Sequence, residues 1–301
     1  MTATDPLRFP AADAARVVSG ALDEDLGGPS GVDVTTMATI PADQERRSVV
    51  LARASGVVAG MPVVRLVLDQ VAERLGADPV TVEEVAADGD TVVRGDVLAR
   101  VSGSTRVILV AERTLLNIIS RTSGVATHTR RWADALAGSG ALVLDTRKTT
   151  PGLRALEKYA VRCGGGTNKR MGLYDVAMIK DNHKLAAGGL TPAYDAIRSR
   201  FPDVPIQVEV TTTAEALEAV AAGARFLLCD NMSTTLLAET VSAVRGADTG
   251  GERVELEATG NLTLEVAAAY AATGVDYLSV GGLTHSSPIL DIALDLDTAG
   301  E

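Results

Sequence analysis

Between Asp145 and Lys180 the sequence concentrates side chains that could hold a polyanion. Eight Lys or Arg lie in this stretch against three acidic residues, although the chain of 301 residues has a net charge of -11. A basic island in an acidic protein indicates a focused site for a small anion, whereas a nucleic-acid partner requires a more extended basic face. The alternative is a solvated helix face, which would account for Arg154, Lys158 and Arg162 because they recur at helical spacing.

Within this island, residues 163–183 read CGGGTNKRMGLYDVAMIKDNH. The three glycines permit a tight backbone path, and we expect this path to bring Asn168, Lys169 and Arg170 to a substrate. Guanidinium groups form paired hydrogen bonds with planar carboxylates, and ammonium groups are compact charges that suit phosphate oxygens. The candidates for carboxylate binding are Arg113, Arg147 and Arg170, and those for phosphate or pyrophosphate are Lys148 and Lys180. A surface position on a helix is the alternative for Arg113.

Two acidic residues end apolar runs further along the chain. Glu209 follows PIQV and Asp230 follows RFLLC. Carboxylates in a cation-rich site suit Mg²⁺ or ribose hydroxyls, and Mg²⁺ usually keeps several water ligands. We expect Glu209 and Asp230 to bind Mg²⁺, directly or through water. Structural salt bridges with neighbouring cations are the alternative.

Two glycine-containing segments provide a different kind of anion site. TGN and VGGL each follow a predicted strand and precede a predicted helix. Backbone N–H groups at a helix start bind phosphate without a side-chain charge, although glycine pairs also occur in plain turns. The residues that we expect to hold a phosphate are Thr259, Gly260, Asn261, Gly281, Gly282 and Leu283.

The alternation of strands and helices predicts how these residues come together. The apolar runs ALVLD, DVAMIK, PIQVEV, RFLLCD, RVELEA and VDYLSV alternate with helical segments such as LRALEKYAV and AEALEAVAAG. This order predicts parallel strands in a doubly wound sheet or a β/α barrel. Most runs end in polar residues, such as Thr146, Arg147 and Lys148 after ALVLD, and barrels collect their catalytic groups at the carboxyl ends of strands. We therefore favour an α/β fold with a parallel β/α barrel, open or incomplete forms included.

The chain before the barrel has a different pattern. Short strand-like runs such as SVVLARASGVVAG are separated by turn dipeptides up to about Val110. We predict an N-terminal α+β sandwich domain over residues 1–114 and the barrel over residues 115–285, with the segment 286–301 as a candidate to pack back on the first domain. A helical pattern from Ala111 to Leu136 connects the two and has a break at Gly124.

The composition indicates whether the protein is globular, whether it spans a membrane and which compartment it occupies. With 46% hydrophobic residues the chain can bury a large core, and no apolar run of about eighteen residues is present. Cys163 and Cys229 match no zinc spacing and fit a reduced compartment. We therefore expect a cytoplasmic protein without a membrane or nucleic-acid partner.

Seven blocks of sequence, in this order, resemble the quinolinate phosphoribosyltransferases, also called nicotinate-nucleotide pyrophosphorylases: AERTLLN, DTRKTTPGLR, KYAVRCGGGTN, MIKDNH, VEV, CDN and VGGLTHS. The resemblance covers about residues 112–286. It implies transfer of ribose 5-phosphate from phosphoribosyl pyrophosphate to the ring nitrogen of quinolinate and loss of the 2-carboxylate as CO2. The products would be nicotinate mononucleotide, for NAD biosynthesis, and pyrophosphate.

The resemblance also implies roles for individual residues. It implies Mg²⁺ as a cofactor that accompanies phosphoribosyl pyrophosphate, and a homodimer in which Arg113 completes the partner's site, with higher oligomers left open. Catalysis would depend on positioning and electrostatic stabilisation. The expected catalytic residues are Lys148, Lys180, Glu209 and Asp230. The expected substrate-binding residues are these four together with Arg113, Thr146, Arg147, Lys169, Arg170, Thr259, Gly260, Asn261, Gly281, Gly282 and Leu283.

Lys169 departs from the family, whose members commonly have His there. A lysine still attracts a carboxylate but lacks the planar geometry and pH sensitivity of histidine. The alternative functions are a paralogous phosphoribosyltransferase for another pyridine or ring carboxylate and a non-catalytic homologue that binds pyridine acids. A further alternative is a Schiff-base aldolase with Lys180 as the nucleophile, which a strict need for phosphoribosyl pyrophosphate would exclude.

Overall fold

The computed structural model describes residues 7–247 and 250–297. These residues form two compact units, which we call the barrel unit and the sandwich unit. The barrel unit consists of Arg131–Lys148 and Gly166–Gly282, and the sandwich unit consists of residues 7–130, Thr149–Gly165 and residues 283–297. The domain boundaries given above from the sequence stay a prediction. Within the described ranges, none of the helices combines the length and the apolar character that crossing a membrane requires.

The helices and strands alternate regularly only in the second half of the chain. The helices are α1 Ala11–Leu26, α2 Val34–Thr39, α3 Pro62–Leu75, α4 Thr105–Ala135, α5 Arg154–Cys163, α6 Asp181–Ala187, α7 Leu190–Arg200, α8 Thr213–Ala221, α9 Thr234–Gly246, α10 Leu264–Ala271 and α11 Gly282–His285. The strands are β1 Glu45–Ala52, β2 Gly56–Val57, β3 Thr81–Glu84, β4 Thr91–Val92, β5 Val97–Ser104, β6 Leu142–Leu144, β7 Ala177–Ile179, β8 Ile206–Val210, β9 Phe226–Asp230, β10 Glu255–Thr259, β11 Tyr277–Ser279 and β12 Ile292–Leu296.

The sandwich unit contains a four-stranded antiparallel sheet in the order β12-β1-β5-β3. Helix α1 buries Ala14, Val18 and Leu22, which are spaced four residues apart and therefore lie on one face. Helix α3 begins with Pro62 in its first turn, where the missing N–H costs no helical hydrogen bond, and ends at Gly76 in a left-handed conformation. Antiparallel strands with helices that share one apolar core confirm the predicted α+β sandwich.

Helix α4 runs unbroken through Gly124, so the predicted break there is wrong. A Cβ atom at residue 124 would lie 2.1 Å from the carbonyl oxygen of Pro288. A glycine inside a helix costs about 1 kcal/mol relative to alanine, but here it permits a close approach of two backbones. The glycine therefore marks a packing contact within the sandwich unit.

Helix α5 is largely buried, which contradicts the interpretation of its cations as a solvated face. Lys158 is only 2% exposed and Glu157 is fully buried. The carboxylate of Glu157 accepts hydrogen bonds from Nη2 of Arg121 at 2.8 Å and from the backbone N–H of Thr150 at 3.0 Å. Helical spacing identified the helix, but the sandwich unit covers its charged side as well as its apolar side, and buried charges need such partners.

The barrel unit contains six parallel strands in the order β6-β11-β10-β9-β8-β7. Each overlaps one of the six apolar runs, so the predicted parallel sheet is confirmed. Beyond the other edge of β6, Thr167 forms an isolated parallel bridge with Leu144. Its N–H donates to the carbonyl of Val143 at 2.9 Å, and its carbonyl accepts from the N–H of Asp145 at 3.1 Å. The glycine-rich segment thus runs beside β6 as one more piece of an incomplete barrel wall.

Candidate active site

The carboxyl ends of the six parallel strands lie at one edge of the sheet, because the strands all run in the same direction. Most of the predicted site residues lie at this edge, as a barrel requires. Thr146, Arg147 and Lys148 follow β6, Lys180 follows β7, Glu209 and Asp230 lie in the last two residues of β8 and β9, Thr259 ends β10 before Gly260 and Asn261, and Gly281 and Gly282 follow β11. Their roles toward substrate stay predictions.

Lys180 and Glu209 form an ion pair across neighbouring strands. Nζ of Lys180 lies 2.9 Å from Oε2 of Glu209, and the side chains are 49% and 11% exposed, respectively. The backbone N–H of Lys180 donates to Nδ1 of His183 at 3.0 Å, which caps the start of α6. The ammonium of Lys180 is therefore accessible to an anion from solvent, whereas the carboxylate of Glu209 is mostly buried.

Arg147 and Arg170 come from different segments but share one environment. The guanidinium of Arg170 donates to the carbonyl of Val176 at 2.9 Å. Burial lowers the pKa of Arg170, and the positive charge of Arg147 lowers it further, whereas the charge of Asp175 acts in the opposite direction. Two guanidinium groups close enough to repel each other gain stability when an anion binds both.

Lys169 is held by a buried carboxylate that sequence reasoning missed. Its Nζ atom lies 2.6 Å from Oε1 of Glu257, and the two side chains are 8% and 0% exposed. Glu257 lies in the middle of β10, on the same face as Thr259 because side chains of a strand alternate. The signal in the sequence is a charged residue inside the apolar run RVELEA, which is unusual for a parallel strand covered on both faces.

Asp145 is a second buried carboxylate that the sequence analysis did not assign to the site. It is fully buried, and it accepts from Nδ2 of Asn168 at 2.6 Å and from the backbone N–H of Lys169 at 2.8 Å. At the next residue in the chain, the side-chain oxygen of Thr146 accepts from the N–H of Lys148 at 3.0 Å and shapes the turn that presents Arg147. The position of Asp145 at the end of ALVLD was the available signal.

The ends of β9 and β10 interlock through Asn231 and Gly260. Nδ2 of Asn231 donates to Oδ2 of Asp230 at 2.7 Å, and its backbone N–H donates to the carbonyl of Thr259 at 2.9 Å. A Cβ atom at Gly260 would lie 2.2 Å from Oδ1 of Asn231, and the φ angle of Gly260 is +106°. Residue 260 must therefore be glycine for both a steric and a conformational reason.

Arg113 and Leu283 belong to the sandwich unit. Arg113 lies on α4 with its side chain 65% exposed and 3.4 Å from the carboxylate of Glu112. Leu283 lies on the short helix α11 and is fully buried.

Metal binding depends on the donors at the strand ends. In the part of the chain that the structure describes, no cluster of three or more His, Cys, Asp or Glu side chains could hold a metal ion. Mg²⁺ is commonly bound by one or two carboxylates together with substrate phosphates and water. The carboxylates of Glu209 and Asp230, on the neighbouring strands β8 and β9, fit such a shared site and do not form a closed protein cage.

Family models match nearly the whole chain. The N-terminal domain of quinolinate phosphoribosyl transferase matches residues 33–123, and the C-terminal domain matches residues 125–295. The chain belongs to the quinolinate phosphoribosyltransferase family. Among relatives, a nicotinate-nucleotide pyrophosphorylase (carboxylating) of Mycobacterium leprae is 46% identical over 94% of this chain and 98% of its own length. A chloroplastic protein of the same name from Arabidopsis thaliana is 40% identical over 97% of this chain and 85% of its own length.

Solved structures place this quinolinate phosphoribosyltransferase family member in the same fold. The nicotinate-nucleotide pyrophosphorylase from Francisella tularensis superposes with a TM-score of 0.88 at 33% identity, covering 98% of this chain and all of the other. The protein of that name from Ehrlichia chaffeensis gives a TM-score of 0.85 at 32% identity, covering 94% and 98%. The predicted resemblance and fold class are both confirmed.

Proposed function

We infer that this protein is a decarboxylating quinolinate phosphoribosyltransferase. It converts quinolinate and phosphoribosyl pyrophosphate to nicotinate mononucleotide, pyrophosphate and CO2, a step of NAD biosynthesis. The observation that supports this function best is the collection of cations at the carboxyl edge of the parallel sheet, where Arg147 and Lys148 follow β6 and Lys180 follows β7. Such cations suit the ring carboxylates, phosphate and pyrophosphate of the substrates. The family membership and the 46% identity to a carboxylating pyrophosphorylase support the same reaction.

In this proposal the side chains position the substrates and stabilise the charges that develop during the reaction, and none of them forms a covalent bond to substrate. Arg147 and Arg170 hold the carboxylates of quinolinate, with Lys169 behind them. The ring nitrogen attacks the anomeric carbon as the bond to pyrophosphate breaks, and the electron pair of that bond leaves with pyrophosphate. Lys148 and Lys180 neutralise the leaving group. The pyridinium nitrogen then accepts the electrons of the breaking carbon–carboxylate bond, CO2 departs, and C2 takes a proton.

Glu209 and Asp230 are the residues that would hold Mg²⁺, directly or through water. The bound ion would stabilise charge on pyrophosphate as a Lewis acid. The ion pair of Glu209 with Lys180 keeps both groups at the strand ends where this charge develops. We assign the 5-phosphate to the backbone around Thr259, Gly260 and Asn261 and around Gly281, Gly282 and Leu283, since phosphate sites of barrels lie after the last strands.

A homodimer with shared sites and a cytoplasmic location complete the proposal. Arg113 would enter the partner's site, and its 65% exposed side chain leaves it available for such a contact. The cysteines Cys163 and Cys229 are buried free thiols, in keeping with a reducing compartment.

A coupled assay for CO2 and nicotinate mononucleotide tests the function. With quinolinate, phosphoribosyl pyrophosphate and Mg²⁺, we expect both products in equal amounts. Product formed from nicotinate alone would indicate a sister phosphoribosyltransferase. Tight binding of quinolinate without turnover would indicate a non-catalytic homologue, and reductive trapping of a keto substrate on Lys180 would indicate an aldolase.

A further inference from the structure

Asp145 connects the two segments that carry the clustered arginines of the barrel unit. It precedes Arg147 by two residues, and its Oδ1 accepts from the N–H of Lys169, which directly precedes Arg170. Its other oxygen accepts from the side chain of Asn168 at 2.6 Å. The fully buried carboxylate of Asp145 thus lies two residues before Arg147 in the chain. It is also hydrogen-bonded to the residue that precedes Arg170.

The segment that bears Arg170 needs such an anchor because it has no helix or strand of its own. After Gly165 and Gly166 it gains a single bridge to β6 at Thr167. Glycine-rich backbone loses more conformational freedom on ordering than other backbone. The side chain of Lys169 adds a second anchor on Glu257, on strand β10. The two buried carboxylates thus fix the segment from the residue after β6 and from the middle of β10.

Like charges make the position of Arg170 depend on these anchors. The charge of Arg147 lowers the pKa of Arg170, so the two guanidinium groups repel each other. If the backbone at Lys169 were not fixed, the side chain of Arg170 would move away from Arg147. The two guanidinium groups could then no longer bind the two carboxylates of one substrate molecule. Hydrogen bonds to an ionised, buried carboxylate are among the stronger anchors available in a protein.

We propose that Asp145 is a positioning residue that sets the spacing of Arg147 and Arg170, and thereby the affinity for a ring with two adjacent carboxylates. This proposal rests on the proposed function. Asp145 touches no substrate, because it is fully buried beneath the segments that it joins. Its effect is confined to quinolinate, whereas phosphoribosyl pyrophosphate binds to other groups of the site.

Exchanging the carboxylate of Asp145 with the amide of Asn168 tests the proposal. Asn168→Asp places two carboxylates across a contact of 2.6 Å, and we expect the Kd for quinolinate to rise about 10-fold or more. In the double variant D145N/N168D the carboxylate and the amide change places, and the oxygen of the new amide still accepts from the N–H of Lys169. We expect this variant to recover most of the affinity. Calorimetric titration with quinolinate, and separately with phosphoribosyl pyrophosphate, gives both constants.

Three controls separate positioning from folding. Thermal unfolding identifies variants that lose the fold, and Asn168→Ala replaces N168D if that variant does not fold. Asp276→Asn removes a carboxylate that is 15% exposed, just before β11, and should lower stability without changing the Kd for quinolinate. The Kd for phosphoribosyl pyrophosphate should stay constant in every folded variant.

Two outcomes would overturn the role of Asp145. One is unchanged quinolinate binding in folded N168D or N168A. The other is a double variant that binds as weakly as N168D, since that would mean that the exchanged contact does not set the spacing. If the wild-type protein does not bind quinolinate at all, the proposed function fails first, and the role of Asp145 fails with it.

Discussion

The ammonium of Lys180 lies 2.9 Å from the carboxylate of Glu209, and the two partners differ greatly in exposure. Lys180 is half exposed, so solvent can replace its partner at little cost. Glu209 is mostly buried, and loss of Lys180 would leave its charge poorly compensated. Substitutions on the two sides of one ion pair therefore have different expected effects on stability, although both remove the same contact.

For Glu209→Gln we expect kcat to fall on the order of 100-fold, because a preorganised charge at the strand ends is lost. The melting temperature should change little, since the ammonium that remains is solvated. Lys180→Met should reduce kcat as well, and it should also lower the melting temperature. Steady-state rates over a range of Mg²⁺ concentrations, with thermal unfolding of each variant, provide the measurement. A wild-type kcat in Glu209→Gln would remove this carboxylate from the mechanism.

Glu215 provides the matched control for Glu209. Its carboxylate lies 3.1 Å from Nζ of Lys184 and accepts from the N–H of Thr211 at 2.8 Å. Burial alone would raise the pKa of Glu215, but these donors outweigh it and lower the pKa. Glu215→Gln should therefore cost stability and leave kcat close to that of the wild type.

Arg147→Ala should weaken quinolinate binding strongly. A carboxylate that loses its guanidinium partner in a desolvated site costs about 2–5 kcal/mol, and each 1.4 kcal/mol corresponds to about tenfold in affinity. Arg147→Lys keeps the charge but not the paired geometry, so we expect an intermediate loss. Titration with quinolinate measures both. Equal affinity of Arg147→Ala and the wild type would exclude Arg147 from the carboxylate site.

Gly260→Ala should damage both stability and phosphate binding. The new Cβ would lie 2.2 Å from Oδ1 of Asn231, in a backbone conformation with φ of +106°. Strained backbone costs about 1–3 kcal/mol, and displacement of Asn231 would also move Asp230. Gly274→Ala is the control, because its φ is +87° but its nearest neighbour is Cγ1 of Val241 at 3.4 Å. If both variants have the same melting temperature and KM for phosphoribosyl pyrophosphate, the steric argument is wrong.

The sheet and the strand ends were predictable from the sequence, because hydrophobic periodicity and strand-to-helix alternation are local signals. The six runs of the barrel unit became six parallel strands, and the cations and acids that follow them lie at the expected edge. The break at Gly124 was not correct, since only the three-dimensional contact with Pro288 explains that glycine. The sequence alone does not show which residues pack against a glycine in the folded protein.

The buried acids of the site were harder to predict. Asp145 and Glu257 are charged residues within the apolar runs ALVLD and RVELEA, but the sequence does not reveal their partners. Asn168 and Lys169 come from a segment without regular structure. Sequence spacing cannot pair residues 88 positions apart, as Lys169 and Glu257 are. The interpretation of α5 as a solvated helix was wrong for a similar reason. Lys158 is buried, and its burial depends on elements distant in the chain.

Hybrid dimers test whether Arg113 serves a neighbouring subunit. We expect Arg113→Ala and Lys180→Met to be nearly inactive alone. In an equal mixture after subunit exchange, half of the dimers would be hybrids with one intact site, so activity should return to about a quarter of the wild-type value. Proven exchange without recovery would place Arg113 outside any shared site.

The stability of the barrel unit should depend on pH through Asp276. This carboxylate accepts from Nη2 of Arg245 at 2.7 Å and from the N–H of Leu256 at 2.8 Å, and it also pairs with Arg253. Burial alone would raise the pKa of Asp276, but these donors, with Arg253 foremost, hold the pKa below its ordinary value of 3.8. A carboxyl group with a lowered folded-state pKa contributes stability above the unfolded pKa and loses it as the pH falls through the folded value.

Asp276→Asn should therefore lower the free energy of unfolding by about 2 kcal/mol at pH 7. The difference from the wild type should persist down to about pH 4 and shrink at lower pH, where the wild-type carboxyl group also becomes neutral. Urea unfolding of both proteins from pH 7 to pH 3 measures this difference. A constant difference over the whole range would mean that the shape of the side chain, and not its charge, accounts for the contribution of Asp276.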